Sequence, residues 1–146
     1  MKPEDFFTDE DKLLITNAIL EAEKNTSGEI RVHLETICKE DALDRAAYIF
    51  EKLKIHETKL RNGVLFYLAV DDRKFAILGD AGINQVTSDD FWDNIKAEML
   101  AFFKEGDFSK GLVRGIQMTG EALKSYFPYQ RDDVNELSDE ISFGEK

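Results

Sequence analysis

The sequence predicts a single α/β domain in which a small mixed β-sheet is covered by helices on both faces. Four segments carry apolar residues at helical spacing. Three shorter segments have strand patterns, and two of them are too close together in the chain for anything but a hairpin. A length of 146 residues suits one domain with its own hydrophobic core.

The first two predicted elements are a helix and a strand. In TDEDKLLITNAILEAEKN, Thr8 is suited to cap a helix whose first turn is acidic. GEIRVHLETI alternates strictly between apolar and polar residues, which predicts a half-exposed strand near a sheet edge or beside a polar cleft. The helix stripe that would face the core consists of Leu14, Ile15, Ala18, Ile19 and Ala22.

The next three elements define the sheet. Apolar spacing predicts a helix over residues 41–53. GVLFYLAV follows it and is apolar on both faces, as expected for a central buried strand. A right-handed crossover makes these two strands parallel. KFAILG comes after only a short DDR connection, which predicts an antiparallel hairpin.

Two long helices complete the predicted core, over about residues 89–104 with Ser88 as cap and about 109–127. Pro128 ends the second helix. We therefore assign residues 1–127 to the domain and 128–146 to an acidic C-terminal tail. A docked turn and a short added strand both fit the apolar residues of this tail, which are Val134, Leu137, Ile141 and Phe143.

Charge and composition restrict the function classes. The formal net charge of −11 disfavours nucleic acid and anionic membranes as partners, although solubility alone is the simplest explanation for such a charge. The single Cys38 excludes an internal disulfide and a cysteine-rich zinc site. The N-terminus lacks a signal-peptide pattern and no stretch is apolar enough to span a bilayer, so we expect a cytoplasmic protein without membrane insertion.

The aspartates of LAVDDRKFAILGDAGINQVTSDDFW divide into two groups. Asp71 and Asp72 are eight or more residues from Asp80, which is roughly 26 Å along a strand at about 3.3 Å per residue. We interpret the first pair as hairpin residues, because aspartate side chains bond nearby backbone N–H groups in turns. If the next helix runs back along the sheet, Asp107 joins this pair and forms a competing acidic site.

The second group lies in the loop GDAGINQVTSDD, which we predict to bind a hard divalent cation, calcium before magnesium. Calcium takes six to eight oxygen ligands, and this loop is rich in carboxylates and amides. The spacing is not that of an EF-hand, and Asp89 alone would also favour a helix N-terminus. Zinc is less favoured because His33 and His56 lie in no zinc motif. The loop ligands are Asp80, Asn84, Asp89 and Asp90.

Topology adds further ligands to the predicted metal site. The hairpin returns Asp80 to the sheet end where SGEI and RNGVLF begin, which brings Glu29 and Asn62 there, with Glu57 as a further candidate. Carboxylates gathered without a counterion repel one another, and a bound cation removes that cost.

The segments SGEIRVHLE, TKLRNGVLFYLAVDDRKFAILGDAGIN, FWDNI and FKEGDFSKGLVRGI, in this order, resemble the TPM-domain family over about residues 8 to 127. The resemblance implies a three-layer αβα sandwich with about four strands, whose crossing loops bind divalent cations in several members. A thylakoid-lumen member has acid phosphatase activity and others serve photosystem repair. GDAGIN matches the family's loop after the hairpin, and Asp89 its acidic residue opening the next helix. Where many members have Asp-Asn-Gly, this chain has Arg61 before Asn62 and Gly63.

Three functional hypotheses follow. The first is a cation-binding domain without strong enzymatic activity, whose loops are ordered by calcium and which has a regulatory or interaction role with an unknown protein partner. The second is a metal-dependent acid phosphatase, for which His33 and Glu35 are the candidate general bases because they are polar groups on an exposed strand face. The third is a protein-interaction module without metal. No motif for nucleotide binding or nucleophilic catalysis is present.

Overall fold

A computed structural model describes residues 2–129 and 137–144. A short 3-10 helix at Pro3–Asp5 precedes the main elements. The helices are α1 (Asp9–Ala22), α2 (Ala42–Lys52), α3 (Ala81–Asn84), α4 (Asp93–Lys104) and α5 (Phe108–Leu123), and the strands are β1 (Glu29–Glu35), β2 (Gly63–Ala69), β3 (Lys74–Gly79) and β4 (Ser142–Phe143).

The four strands form one mixed sheet in the order β3-β2-β1-β4. β1 and β2 are parallel and β2 and β3 are antiparallel, which confirms both predicted pairings. All seven residues of β2 are buried, because this strand has a neighbour on each side and helices above and below.

Helices cover the sheet on both faces and separate two apolar cores. The larger core lies under α1, α4 and α5 and receives the apolar face of β1, namely Ile30, Val32 and Leu34. The smaller core lies under α2 and contains Leu65, Tyr67 and Ala69 from the opposite face of β2. The predicted three-layer arrangement of helices, sheet and helix is confirmed.

Three of the four polar side chains of β1 are buried and only Arg31 is partly exposed, so the prediction of a half-exposed strand is wrong. Glu29, His33 and Glu35 are each only 4–5% exposed. The C-terminal residues 137–144, which we call the strap, add β4 alongside β1 and place its polar side chains in hydrogen bonds. The alternating pattern correctly separates the apolar and polar faces of β1. The polar side chains are buried because the strap, a segment distant in sequence, packs beside them.

Of the two predicted helix caps, Thr8 is confirmed, whereas Ser88 does not cap α4. The Thr8 hydroxyl accepts a hydrogen bond from Asp11 N–H at 3.0 Å, and Asp107 caps α5. α4 begins at Asp93, four residues after the predicted start, and α5 ends at Leu123 rather than near residue 127. The short α3, capped by Asp80, falls where a loop was predicted.

The C-terminal segment contributes structure beyond the predicted domain limit at residue 127. Ser142 and Phe143 pair in parallel with His33 and Leu34, and the Gly144 N–H donates to the Leu34 carbonyl at 2.8 Å. Of the two arrangements considered for this segment, these residues adopt the added strand; Val134 lies outside the described residues. Among the described helices, none has the length and apolarity needed to cross a membrane.

Candidate functional site

Polar residues from three elements meet at the end of the sheet where β1 and β2 begin and β3 ends. Glu29 is in register with Gly63, and the Glu29 N–H donates to the Asn62 carbonyl at 3.3 Å. The Asp80 N–H donates to the Gly63 carbonyl at 3.0 Å. The topology therefore places Glu29, Asn62 and Asp80 at one sheet end, where the sequence argument puts them.

The carboxylate of Asp80 already binds a positively charged side chain of the same protein. The Arg61 guanidinium donates to both of its carboxylate oxygens, at 2.7 and 2.8 Å, and the Ala81 N–H adds a bond of 2.7 Å. The same hydrogen bond and charge raise the pKa of Arg61. A metal ion at Asp80 would have to displace this guanidinium.

The loops that carry Arg61 and Asp80 cross in close contact. Arg61 has a left-handed backbone with φ of 51°, and its carbonyl accepts a hydrogen bond from Gly82 N–H at 2.8 Å. A Cβ atom at Gly82 would lie 2.1 Å from the Leu60 carbonyl oxygen and 2.6 Å from that of Arg61. Glycine at position 82 therefore permits the crossing that aligns the ion pair.

The other predicted loop ligands have separate local roles. The Asn84 amide donates to the Gly79 carbonyl at 3.2 Å and lines, with Asp80, a cavity of about 410 Å³. Asp90 accepts a hydrogen bond from the Ser88 hydroxyl at 2.5 Å, and Asp89 is exposed. Within residues 2–129 and 137–144, no three His, Cys, Asp or Glu side chains are grouped closely enough to hold a metal ion.

The residues of the competing acidic site also have structural partners. Asp72 accepts from Cys38 N–H at 2.7 Å, and the backbone of Asp71 donates to the Thr36 carbonyl at 2.8 Å. Asp107 accepts from Lys110 N–H at 3.3 Å as the cap of α5. The contacts of Asp71 and Asp72 attach the hairpin to the loop after β1, whereas that of Asp107 belongs to α5.

A cavity of about 610 Å³ at the same sheet end gathers carboxylates that the sequence argument mostly missed. It lies between the end of α1, the start of β1 and the strap, and we call it the carboxylate pocket. Glu23 accepts from Ile30 N–H at 3.0 Å, and Glu29 accepts from Leu137 N–H at 2.6 Å. Its acidic lining residues are Glu21, Glu23, Glu29 and Asp139.

The surroundings of Glu23 in this pocket favour its protonated form. Burial raises its pKa to about 9, aided by a hydrogen bond to Asp139 and by the negative charges of Asp139 and Glu29. A proton on Glu23 thus offsets repulsion from Asp139 and Glu29 that a metal ion could offset instead. Of these residues only Glu29 is predicted from the sequence, because Glu23 and Asp139 are brought together by the strap.

His33 and Glu35, the candidate general bases, belong to a buried network. Arg45 donates to Glu35 at 2.9 and 2.6 Å and the Tyr67 hydroxyl donates at 2.6 Å. Burial opposes ionisation of Glu35, but hydrogen bonds from Arg45, His33 and Tyr67 outweigh it and hold the pKa of Glu35 well below its usual value. His33 Nδ1 lies 2.9 Å from the Ser142 hydroxyl.

A carboxylate with a lowered pKa and three donors is a poor proton acceptor at neutral pH. The network therefore stabilises the fold between β1, α2 and the strap. Among the described contacts, neither histidine has a second histidine or a cysteine beside it. The charged partner of His56 is Glu57, at 3.8 Å.

The TPM domain family model matches residues 1–122. The chain belongs to the TPM domain family. This family includes phosphatase-like members. Among curated proteins no match is found.

Solved structures agree with the family assignment. This TPM domain is 53% identical to BA42 from the psychrophilic bacterium Bizionia argentinensis, with a TM-score of 0.92 and coverage of 98% of this chain and 99% of that one. The N-terminal domain of a P. gingivalis protein has 17% identity, a TM-score of 0.71 and coverage of 87% and 83%. That of cg2496 from Corynebacterium glutamicum has 12% identity, a TM-score of 0.65 and coverage of 97% and 82%. The last two show the shared fold alone.

Proposed function

We propose that this TPM domain binds a divalent cation, calcium before magnesium, in the carboxylate pocket. The proposal is supported by the geometry of the pocket, where the carboxyl groups of Glu23 and Asp139 meet beside Glu29 and burial raises the pKa of Glu23 to about 9. A divalent cation would neutralise this cluster more completely than a proton does. Glu23 and Asp139 are the direct ligands in this proposal, and Glu29 contributes charge.

The chemistry of the cavity favours a hard cation. Its lining offers oxygen atoms of carboxylates, of the Thr26 and Ser27 hydroxyls and of the Asn17 amide, and it contains neither histidine nor cysteine. Its one cationic side chain, Lys24, pairs with Glu21 at 3.0 Å. Calcium accepts such mixed oxygen sets and fills its remaining positions with water, whereas zinc prefers nitrogen and sulfur. A cavity of about 610 Å³ has room for an ion with several waters.

Binding there would connect metal concentration to the C-terminal strap. Asp139 belongs to the strap, whereas Glu23 follows α1. An ion held by both would fasten the strap against β1 and order the loops at this sheet end. We infer a regulatory or interaction role in which the cation sets the stability of this surface for a protein partner.

The loop site predicted from the sequence is a second location for the same function. Asp80, Asn84, Asp89 and Asp90 would bind an ion only after Arg61 releases Asp80. Glu29 lies at the same sheet end and could serve either location.

Two alternative functions make different demands. A metal-dependent phosphatase needs a base beside the metal, but His33 and Glu35 are buried under the strap and hydrogen-bonded. A metal-independent interaction module requires no cation at all. Its melting temperature would be the same in calcium and in chelator.

Calorimetric titration with calcium and magnesium separates these hypotheses. We expect Glu23→Gln with Asp139→Asn to weaken calcium binding at least about tenfold, the effect of roughly 1.4 kcal/mol. Asp80→Asn with Asp89→Asn is the matched control, because it also replaces two carboxyl groups by amides, and it should leave the affinity within about twofold. The opposite ranking would move the site to the Asp80 loop, and no heat from either ion would refute cation binding.

Phosphatase activity is measured separately with p-nitrophenyl phosphate and calcium or magnesium. We expect no turnover above that of the buffer with the metal. Turnover that disappears in Asp80→Asn or Glu23→Gln would establish the enzymatic alternative.

A further inference from the structure

Three aromatic side chains form a partly exposed cluster near the end of β3, which we call the aromatic face: Phe91, Trp92 and Tyr126. The Phe91 ring lies 4.8 Å from that of Trp92 and 6.1 Å from that of Tyr126, both nearly perpendicular. Tyr126 is 46% exposed, and Phe91 and Trp92 are partly exposed. Large apolar rings left in contact with water on a folded domain commonly mark interaction surfaces.

The aromatic face is held in place from below. A Cβ atom at Gly79 would lie 2.9 Å from Cζ2 of Trp92, so glycine lets the indole lie directly on the end of β3. Phe91 and Trp92 also pack against the larger core. The cluster is therefore positioned before any partner arrives, which lowers the entropic cost of binding.

The chain around Phe91 and Trp92 carries mostly negative charge, and the basic residues nearest to the three rings in sequence are Lys96 and Lys124. Residues 75–95 contain four aspartates and no lysine, arginine or histidine. Asp80 is neutralised by Arg61, but Asp89, Asp90 and Asp93 are exposed next to the rings in sequence. The formal net charge of −11 strengthens the negative potential at this surface.

We propose that the aromatic face is a docking surface for a basic segment of a partner protein. Arginine or lysine side chains would lie over the rings of Trp92 and Tyr126, while the aspartates hold neighbouring cationic groups. A second copy of this chain is a poor occupant, because it would bring the same aspartates against the first set. Nucleic acid is excluded by the same charge.

Docking here does not depend on cation binding at the carboxylate pocket, so it can be measured in the presence of chelator. Trp92 is the only tryptophan of the chain and lies in the proposed surface, so its fluorescence reports occupancy directly. The probe is an eight-residue peptide that alternates arginine with alanine. Its counterpart alternates glutamate with alanine.

We expect the arginine peptide to change Trp92 fluorescence in a saturable way and the glutamate peptide to have no effect. Tyr126→Ala should weaken binding at least about fivefold, in the range expected for a ring that stacks on a cation. Asp89→Asn, Asp90→Asn and Asp93→Asn together should weaken it at least about tenfold.

The control for bulk charge neutralises three exposed acids elsewhere, with Glu10→Gln, Asp44→Asn and Glu105→Gln. It should weaken binding less than about twofold, because screening limits the reach of these charges to roughly 10 Å. Equal losses in the two triple variants would overturn the proposal, as would the absence of saturable binding. Concentration-dependent dimerisation that Tyr126→Ala abolishes would overturn it in favour of a second copy.

Discussion

Replacing Arg45 by methionine tests whether the ion pair with Glu35 fastens α2 to the sheet. Arg45 makes two hydrogen bonds to Glu35, at 2.9 and 2.6 Å, and Glu35 is 5% exposed. Removing one partner of a buried ion pair costs roughly 3–5 kcal/mol, because the remaining charge has no counterion. The Arg45 side chain is 30% exposed, so water can partly replace it, and we expect about 3 kcal/mol.

The pH dependence of this cost distinguishes a lost charge from lost packing. In the wild type the lowered pKa of Glu35 contributes stability that is present above about pH 4.3, the unfolded value, and is lost as pH falls below it. In the variant burial dominates and raises the pKa of Glu35, so the variant loses stability as pH rises above that value. The difference between the two proteins must therefore be larger at pH 8 than at pH 4.

Urea denaturation at pH 4, 6 and 8 measures both effects. Arg114→Met is the matched control, because Arg114 pairs with Glu98 at 3.3 Å with both side chains over 40% exposed. Such a surface pair is expected to contribute less than about 1 kcal/mol. The reasoning is refuted if the two substitutions cost the same, or if the cost of Arg45→Met is independent of pH.

Three further predictions concern the sheet end with the carboxylate pocket. Because the pKa of Glu23 is raised to about 9, this group binds one more proton in the folded than in the unfolded protein between about pH 4.3 and 9. The free energy of unfolding therefore falls by up to about 1.4 kcal/mol per pH unit over this range. Glu23→Gln should flatten that slope in urea denaturation from pH 6 to 8. Calcium that displaces this proton should bind about tenfold more tightly per pH unit over the same range, and calorimetry in buffers of different ionisation enthalpy should detect one released proton. Gly82→Ala should destabilise the fold by about 2–3 kcal/mol, because the added Cβ meets backbone oxygens. Gly28→Ala should cost less, because its Cβ meets only the end of the Leu123 side chain, at 3.0 Å, at such short range. Thermal denaturation of both variants gives the comparison.

The sequence was sufficient to predict the sheet pairing because each strand had a local signal. GVLFYLAV is apolar on both faces, and the short connection to KFAILG permits only a hairpin. The shared sheet end of Glu29 and Asp80 followed from that topology alone. The structure adds that Asp80 forms an ion pair with Arg61. No motif or residue spacing in the sequence predicts this contact.

The strap explains most of what the sequence could not show. Its residues 137–144 bury Glu29 and His33, which alternate as an exposed strand face would. They also bring Asp139 to Glu23, more than a hundred residues away. Composition suggested that apolar residues of the tail dock, but neither charge nor periodicity identified the strand they dock against.

The central claim is that a divalent cation binds Glu23 and Asp139 and replaces the proton of Glu23. Amide NMR during a calcium titration tests it most directly, because each backbone N–H reports its own surroundings. We predict saturable shifts for Ile30 and Leu137, whose N–H groups donate to Glu23 and Glu29, and for Asp139, with little change at Ala81 beside Asp80. Shifts confined to residues 80–90, or no shifts at millimolar calcium, would contradict the account.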